Sequence, residues 1–597
     1  MNEKLRKAGI KDILELALFT PASYHDYRIK DFIDFEEQLF EVQILKKQKL
    51  QKLQKYQAYA KNIQKEIALI FFRTSSYHDY TFIEGATLYI SGKIKKSFGE
   101  LQLIQPQKIA NYKVGKIFPS YKIKIRSDIF EELKSHYLTK ENLQNTGLPE
   151  DIYERLLKIH YPDEELYRGF KRHGGFYGKY LEALKFTEAF RYMKGLKIKR
   201  IYYPSVCKIE TNLEPFYEQL PFTPTSDQRK ALEDAKSDLA KSIAARRVIV
   251  GDVGSGKSLV MFGIAYMAGK KRAILMAPTT ILATQLFQEA KRLLPSSLRI
   301  ALITSQSKEQ DLEEFDFIIG THALLYRKLP KACVVMVDEQ HRFGTEQRSK
   351  LKKLVESKEG SPHFFQFSAT PIPRTKAMME SALVDYSFIK ELPFKKDITT
   401  EVISKGDFKR LLAHIIREIE QDHQVLIVYP IVEESEHYNY KSLEEASSFW
   451  MRYFDGVYYT HGKDKEKEEI LQEFRDKGKI LLATTVIEVG ISLPRLTTIV
   501  IVGAENMGLA TLHQLRGRVS RTGLKGYCFL YTHDKNNKRL QEFSKITNGF
   551  AIAELDLKYR KSGDILSGKE QSGKMFQYLN MAEDKAIVER AKALLDQ

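Results

Sequence analysis

Gly251-Asp-Val-Gly-Ser-Gly-Lys-Ser258 is the stretch around which the chain is organised. The apolar run Arg247-Val-Ile-Val250 before it reads as a strand, and Leu259-Val-Met-Phe-Gly-Ile-Ala-Tyr-Met267 after it reads as a helix. That order, strand then glycine-rich loop then helix, is the setting in which G-x-x-x-x-G-K-[ST] carries chemistry. Gly254 and Gly256 let successive backbone N–H groups turn into a concave nest for phosphate oxygens. The helix that begins there adds its positive end. Lys257 supplies a point charge for the outer phosphates, and Ser258 places a hydroxyl for Mg²⁺. Gly251, Asp252, Val253, Gly254, Ser255, Gly256, Lys257 and Ser258 are therefore expected to line a nucleoside triphosphate, which the protein binds and hydrolyses.

Downstream, Val334-Val-Met-Val337 reads as a buried strand ending in Asp338-Glu-Gln-His341. Carboxylates at the carboxyl end of such a strand stand where ligands bind in open α/β sheets. Asp338 is suited to holding Mg²⁺ and Glu339 to orienting or deprotonating the attacking water. The next strand, Phe364-Phe-Gln-Phe367, leads into Ser368-Ala-Thr370, whose hydroxyls could sense the nucleotide through Gln340 and His341. Upstream, Phe222 and Gln228 in Pro221-Phe-Thr-Pro-Thr-Ser-Asp-Gln228 are placed for adenine recognition.

Residues 203–395 and 396–532 each alternate apolar runs with helical stretches, which implies two parallel sheets covered on both faces. The second unit has no phosphate loop but carries Gln514-Leu-Arg-Gly-Arg-Val-Ser-Arg521. Arg518 and Arg521 are three apart, so on a helix they share one face. Arginines that reach a γ-phosphate from a neighbouring domain stabilise the charge of phosphoryl transfer.

Residues 1–37 form a short helical segment broken at Thr20-Pro21. Residues 38–125 contain short runs rich in β-branched and aromatic residues, such as Phe40-Glu-Val-Gln-Ile44 and Thr87-Leu-Tyr-Ile-Ser-Gly92. These suit a small barrel of the OB type, which often binds oligonucleotides, and equally a small β domain with no such role. Lys46-Lys-Gln-Lys-Leu-Gln-Lys-Leu-Gln-Lys55 within it is the densest basic run, a solvated face or a track along phosphates. Residues 93–100 read as a hairpin tip, with Phe98 either packed in the turn or exposed to stack on a base. Residues 126–202 are a helical connector, and 533–597 are charged and mostly helical.

With 95 Lys and Arg against 77 Asp and Glu, the net charge of +18 fits a polyanionic partner, nucleic acid or an anionic membrane surface, and equally a merely basic, soluble surface. No run of 18 apolar residues exists, so no membrane span is expected. Asp12 and Glu15 interrupt the N-terminal apolar segment and argue against a signal peptide. Cys207, Cys333 and Cys528 lie far apart, so neither a disulfide framework nor a zinc site is expected, and a reducing cytoplasm is.

Taken together these residues resemble the superfamily 2 helicases and, more narrowly, the RecG family of ATP-dependent DNA translocases. The phosphate loop matches motif I and Asp338-Glu-Gln-His-Arg-Phe-Gly344 a form of motif II shared by few families. Ser368-Ala-Thr-Pro-Ile-Pro-Arg-Thr375 matches the extended motif III; residues 483–490 and 512–521 look like motifs V and VI. Residues 9–28 resemble that family's N-terminus, and Asn548-Gly-Phe-Ala-Ile-Ala-Glu-Leu-Asp-Leu-Lys-Tyr-Arg560 with Gln571-Ser-Gly573 its TRG motif. The resemblance implies two RecA-like α/β motor domains (203–395 and 396–532), preceded by an OB-fold wedge (38–125) and the helical connector, and followed by a coupling region (533–597). It implies ATP and Mg²⁺ between the motor domains and DNA coupling through Ser368, Thr370, Arg560 and Gln571. The implied substrates are branched DNA: forks, Holliday junctions, D-loops and R-loops. A monomer associated with single-stranded DNA-binding protein is implied as well.

Four departures stand out. Ser258 replaces the usual threonine, Ser492 an aspartate of motif V and Ser520 a glycine of motif VI. Arg560-Lys-Ser-Gly563 replaces Arg-Gly-Pro-Gly, with Glu570 where a basic residue is common. Two other readings stay open: an RNA helicase, and a junction-binding clamp without catalytic turnover.

Overall fold

The computed structural model describes the chain apart from residues 1–2, 8, 31–35, 51–52, 73–75, 98, 309–310, 340–342, 344–345, 348–349, 352–359, 371, 395, 431–439, 463, 465, 485–492, 521–522 and 568–575. It divides into two compact units, one of residues 1–191 with 576–580 and 586–597, the other of residues 192–575 with 581–585.

In the first unit, β1 (Ser23–Asp26) pairs with β8 (Ile117–Ser120). Between them lie β2 (Glu37–Leu50), β3 (Leu53–Ala60), β4 (Lys65–Phe71), β5 (Thr87–Ser97), β6 (Glu100–Ile104) and β7 (Gln107–Ile109). The order β2-β3-β4-β6-β5 closes because β5 also pairs with β2, from Glu37 opposite Lys93 to Gln43 opposite Thr87. The result is a five-stranded barrel of the OB type, which leaves no free edge in the ring. Alternation drives it: on β3 Gln54, Tyr56, Ala58 and Ala60 point inward, and Tyr56 and Phe71 sit edge to face in the core. The basic run is the far end of the β2–β3 hairpin, with Leu50 opposite Leu53. β3, which no sequence pattern announced, turns the polar Gln54 inward and Leu53 and Tyr59 outward, so its residues do not alternate by polarity. Phe98 lies outside the described residues; Gly99, next to it in the chain, has φ +80°.

Helices Ser127–Tyr137, Glu150–His160 and Glu164–His173 follow, and Gly178–Lys199 leads into the second unit. Within the first unit, the carboxylate of Glu188 accepts the backbone N–H groups of Gln577, Tyr578 and Leu579.

The second unit holds two parallel sheets. The first has the order β11-β12-β10-β13-β14-β9-β15, where β9 is Arg246–Gly251, β10 Ala273–Met276, β11 Ile300–Ile303, β12 Phe317–Gly320, β13 Val334–Val337, β14 His363–Ser368 and β15 Asp385–Ile389. The second has the order β16-β21-β20-β17-β19-β18, where β16 is Ile398–Ile403, β17 Gln424–Tyr429, β18 Val457–Thr460, β19 Ile480–Thr484, β20 Leu496–Val502 and β21 Gly526–Tyr531. Every residue of β10, β12, β13, β17 and β19 is buried, as strands covered on both faces require. These are the two RecA-like lobes.

One expectation is corrected here. Cys207 and Cys333 are joined in a disulfide, their Cα atoms 5.9 Å apart, although 126 residues separate them. Spacing along the chain carried no hint of it, because packing against the first sheet brings the two together. Among the described residues no helix is long and apolar enough to cross a membrane.

Candidate active site

β9 lies between β14 and β15 and delivers the chain into the phosphate loop. Gly254 (φ +80°) and Gly256 (φ +76°) adopt the left-handed backbone that a nest of N–H groups needs. Gly256 is required twice over, since a Cβ there would lie 2.3 Å from Nε2 of Gln228. The helix Lys257–Ala268 starts at this point, and Lys257 Nζ donates to the carbonyls of Gly251 (2.8 Å) and Asp252 (3.1 Å). Ser255 Oγ is buried without a hydrogen-bond partner among the described residues. A buried orphan hydroxyl, two left-handed glycines leading into a helix N-terminus and a lysine form a set that a polyphosphate satisfies.

Gln228 is buried at the start of the helix Ser226–Leu239. Its Oε1 accepts from Thr225 N (2.9 Å), completing a capping box, while Nε2 donates to Ser255 O (2.8 Å). The amide thus ties the loop to the cap of its own helix. Phe222 is exposed.

Asp338 and Glu339 follow β13 directly. Burial and the neighbouring Glu339 raise the pKa of Asp338, and the charge of Lys257 opposes them. Glu339 has φ +47°, an unusual conformation for a residue with a side chain and one that collects at functional sites. Its Oε2 accepts from Ala369 N (3.2 Å). On either side of Ala369, Ser368 Oγ accepts from Thr370 N (3.1 Å), and Thr370 Oγ1 accepts from Nε2 of Gln514 (3.0 Å). A chain of hydrogen bonds thus runs from Glu339 through residues 368–370 into the second lobe. Gln340 and His341, expected to carry that signal, lie outside the described residues.

The second lobe meets the loop through the helix Leu509–Arg516. This corrects the expectation that Arg518 and Arg521 share a helix face: the helix ends at Arg516, with Gly517 as its cap. Ser520 then turns the chain at φ +60°. Arg518 is buried, and Arg521 lies outside the described residues. Gly517 packs so tightly on the loop that a Cβ would fall 2.8 Å from Val253 Cγ1. Lys396 Nζ donates to Val253 O (2.8 Å).

Asp252 does not face the nest. His513 Nε2 reaches its Oδ1 at 2.5 Å, and Gly549 N donates to its Oδ2 at 2.8 Å. Burial alone would push this carboxyl up, but hydrogen bonds from His513 and from the amides of Gly549 and Val253 hold it below the usual carboxylate range. Arg516 Nη2 lies 3.1 Å from His513 Nδ1 and can only donate, so Nε2 carries the imidazole proton toward Asp252. Burial, which lowers the His513 pKa, agrees with a neutral ring. Sequence reasoning placed His513 and Gln514 in the stretch that resembles motif VI and Gly549 in the TRG-like stretch, but gave none of them, nor Lys396, a role of its own. Arg560 lies within the helix Gly549–Ser567; Ser492 and Gln571 lie outside the described residues.

Two α/β lobes that meet at a phosphate loop, with paired carboxylates on one side, define a nucleotide-driven helicase motor. Residues 225–379 match the DEAD/DEAH box helicase family and residues 407–523 the helicase conserved C-terminal domain. Over 604 residues the chain is 44% identical to the ATP-dependent DNA helicase RecG of Helicobacter pylori, covering 98% of this chain and 96% of that protein. It is 32% identical over 645 residues to the protein of that name from Aquifex aeolicus, covering 98% of this chain and 81% of that one. A solved structure of RecG bound to a three-way DNA junction matches with a TM-score of 0.57 at 26% identity, over 100% of this chain and 83% of that one. The chain belongs to the RecG family of ATP-dependent DNA helicases.

Proposed function

We propose that the protein is a double-stranded DNA translocase that remodels branched DNA in recombination and repair. Stalled forks would be regressed, Holliday junctions branch-migrated, and D-loops and R-loops unwound. The contact that supports this reading best is the closure of the second lobe onto the phosphate loop, at Asp252 and Val253, because a motor needs its nucleotide site to sense both lobes.

In this reading Lys257 and the loop amides hold the triphosphate, and Ser258 and Asp338 hold Mg²⁺, which neutralises phosphate charge when bound. Glu339 accepts the proton of the attacking water, and Arg518, with Arg521, offsets charge that develops at the γ-phosphate. Gln228 and Phe222 flank the base. The barrel acts as the wedge, its lysine-rich hairpin and Phe98 against the branch, and Ser368, Thr370, Arg560 and Gln571 belong to the coupling path. We take the protein to act as a monomer in the cytoplasm, with single-stranded DNA-binding protein as a partner.

The test is ATP hydrolysis measured with no nucleic acid, linear duplex, a model fork, a Holliday junction and structured RNA, for wild type, Lys257→Ala and Glu339→Gln. Stimulation by fork and junction, lost in both variants, is the expected result. Stimulation by RNA alone would overturn the DNA reading, and tight junction binding without hydrolysis would overturn the motor.

A further inference from the structure

A carboxylate in a phosphate-binding loop is electrostatically misplaced if it faces the phosphates, since like charges a few ångströms apart repel. Asp252 avoids this by turning away, and what it turns toward is specific. One oxygen takes the His513 proton and the other takes the N–H of Gly549, the first residue of the helix Gly549–Ser567. Asn548 Oδ1 takes the next two amides, those of Phe550 and Ala551. The start of this helix is therefore capped partly by its own Asn548 and partly by the phosphate loop, 297 residues earlier in the chain.

The approach is as close as backbone allows. A Cβ on Gly549 would lie 2.7 Å from both Asp252 Oδ1 and His513 Nε2, and Gly549 is not among the residues of positive φ. Glycine is thus required there by proximity rather than by backbone conformation. Phe550 meets the ring of Phe388 on β15 at 5.9 Å, so two successive residues of this helix start rest on the first lobe.

We propose that Asp252 is a positioning residue that couples the state of the phosphate loop to the helix Gly549–Ser567, by holding Gly549 N–H and His513 at once. The inference rests on the helicase reading above. Charge and shape changes at residues 252–254 during the nucleotide cycle pass to the helix start through two hydrogen bonds, with no intervening element.

The test uses the full chain and a forked DNA. Gly549→Ala, whose methyl would press on Asp252 and His513 but adds nothing at Gly254, Gly256, Lys257 or Ser258, is compared with Gly195→Ala, where a Cβ meets nothing within 4 Å. Asp252→Asn is the second variant, because an amide of the same size cannot accept from both donors. Three quantities are read: affinity for a fluorescent ATP analogue, ATP hydrolysed, and base pairs separated per ATP. Gly549→Ala is expected to keep analogue affinity and to lower base pairs per ATP by about five-fold or more. Hydrogen exchange over residues 548–556 is expected to respond to the analogue in wild type and not in either variant. An unchanged ratio of base pairs to ATP, or a proportional fall in hydrolysis and separation, overturns the coupling role. Wild-type protein that hydrolyses ATP on no DNA overturns the helicase reading itself, whereas failure confined to the variants' ratio leaves that reading intact.

Discussion

The carboxylate of Glu339 accepts the backbone N–H of Ala369 at 3.2 Å while its own backbone sits at φ +47°. A residue held in that conformation by a partner just past the end of β14 is set in place before any substrate arrives. Glu339→Gln keeps the shape and an acceptor for Ala369 N but cannot take a proton. Steady-state hydrolysis on forked DNA should fall by about 10²–10⁴-fold, with ATP-analogue binding retained. Loss of binding in parallel would assign Glu339 a structural role.

Gln228 is wedged between its own helix cap and the loop carbonyl of Ser255. Gln228→Ala removes both bonds, and a cost of about 1–2 kcal/mol in stability is expected, read as a lowered thermal midpoint. The KM for ATP should rise more than kcat falls, since the loop loses a brace and no reacting group is touched.

Ser520 occupies a left-handed backbone position, φ +60°, and is buried. Residues with a Cβ lose about 1–2 kcal/mol there, and glycine gives back part of the gain through unfolded-state entropy. Ser520→Gly should raise stability by up to about 1 kcal/mol. An unchanged or lower thermal midpoint would show that the serine side chain offsets the strain.

His160 is fully buried, with Nε2 facing Ala17 O at 2.9 Å and Nδ1 facing the Tyr121 hydroxyl at 2.8 Å. Burial drives its pKa from 6.5 to about 3. The unfolded chain takes up this proton near pH 6.5, whereas the folded chain refuses it until about pH 3. Its contribution is therefore complete above pH 6.5 and is lost as pH falls through that window, by at most about 1.4 kcal/mol per pH unit. Urea midpoints at pH 7.5 and 5.0 should show a smaller difference in His160→Gln than in wild type, even though the variant is less stable at pH 7.5.

Lys46 and Lys49 stand exposed on β2, whereas Lys47 is paired with Asp79 and Lys55 with Glu100. If the hairpin lies along phosphates, Lys46→Ala and Lys49→Ala should each reduce the slope of log affinity against log salt for junction DNA by about 1. Unchanged slopes would return the run to a solvated face.

Much of this protein is written in short stretches of chain. The loop 251–258 is legible because a phosphate nest needs glycines, a lysine and a helix start in fixed order, all within eight residues. Asp338 and Glu339 are legible because they end a wholly apolar strand, and the two parallel sheets because buried strands must be apolar throughout. The helix end before Arg518 was not, since Gly517 and the positive φ of Ser520 interrupt a pattern whose spacing still looks helical. Tertiary structure alone decided the pairing of Cys207 with Cys333 and the closing of the barrel by β5 on β2. It also decided the meeting of Asp252, His513 and Gly549. Local chemistry dictates what a turn or a strand can be, but contacts between residues hundreds apart exist only once packed surfaces hold both partners still. For that reason the chemistry of the phosphate site was readable in sequence, and the link from that site to the helix Gly549–Ser567 was not.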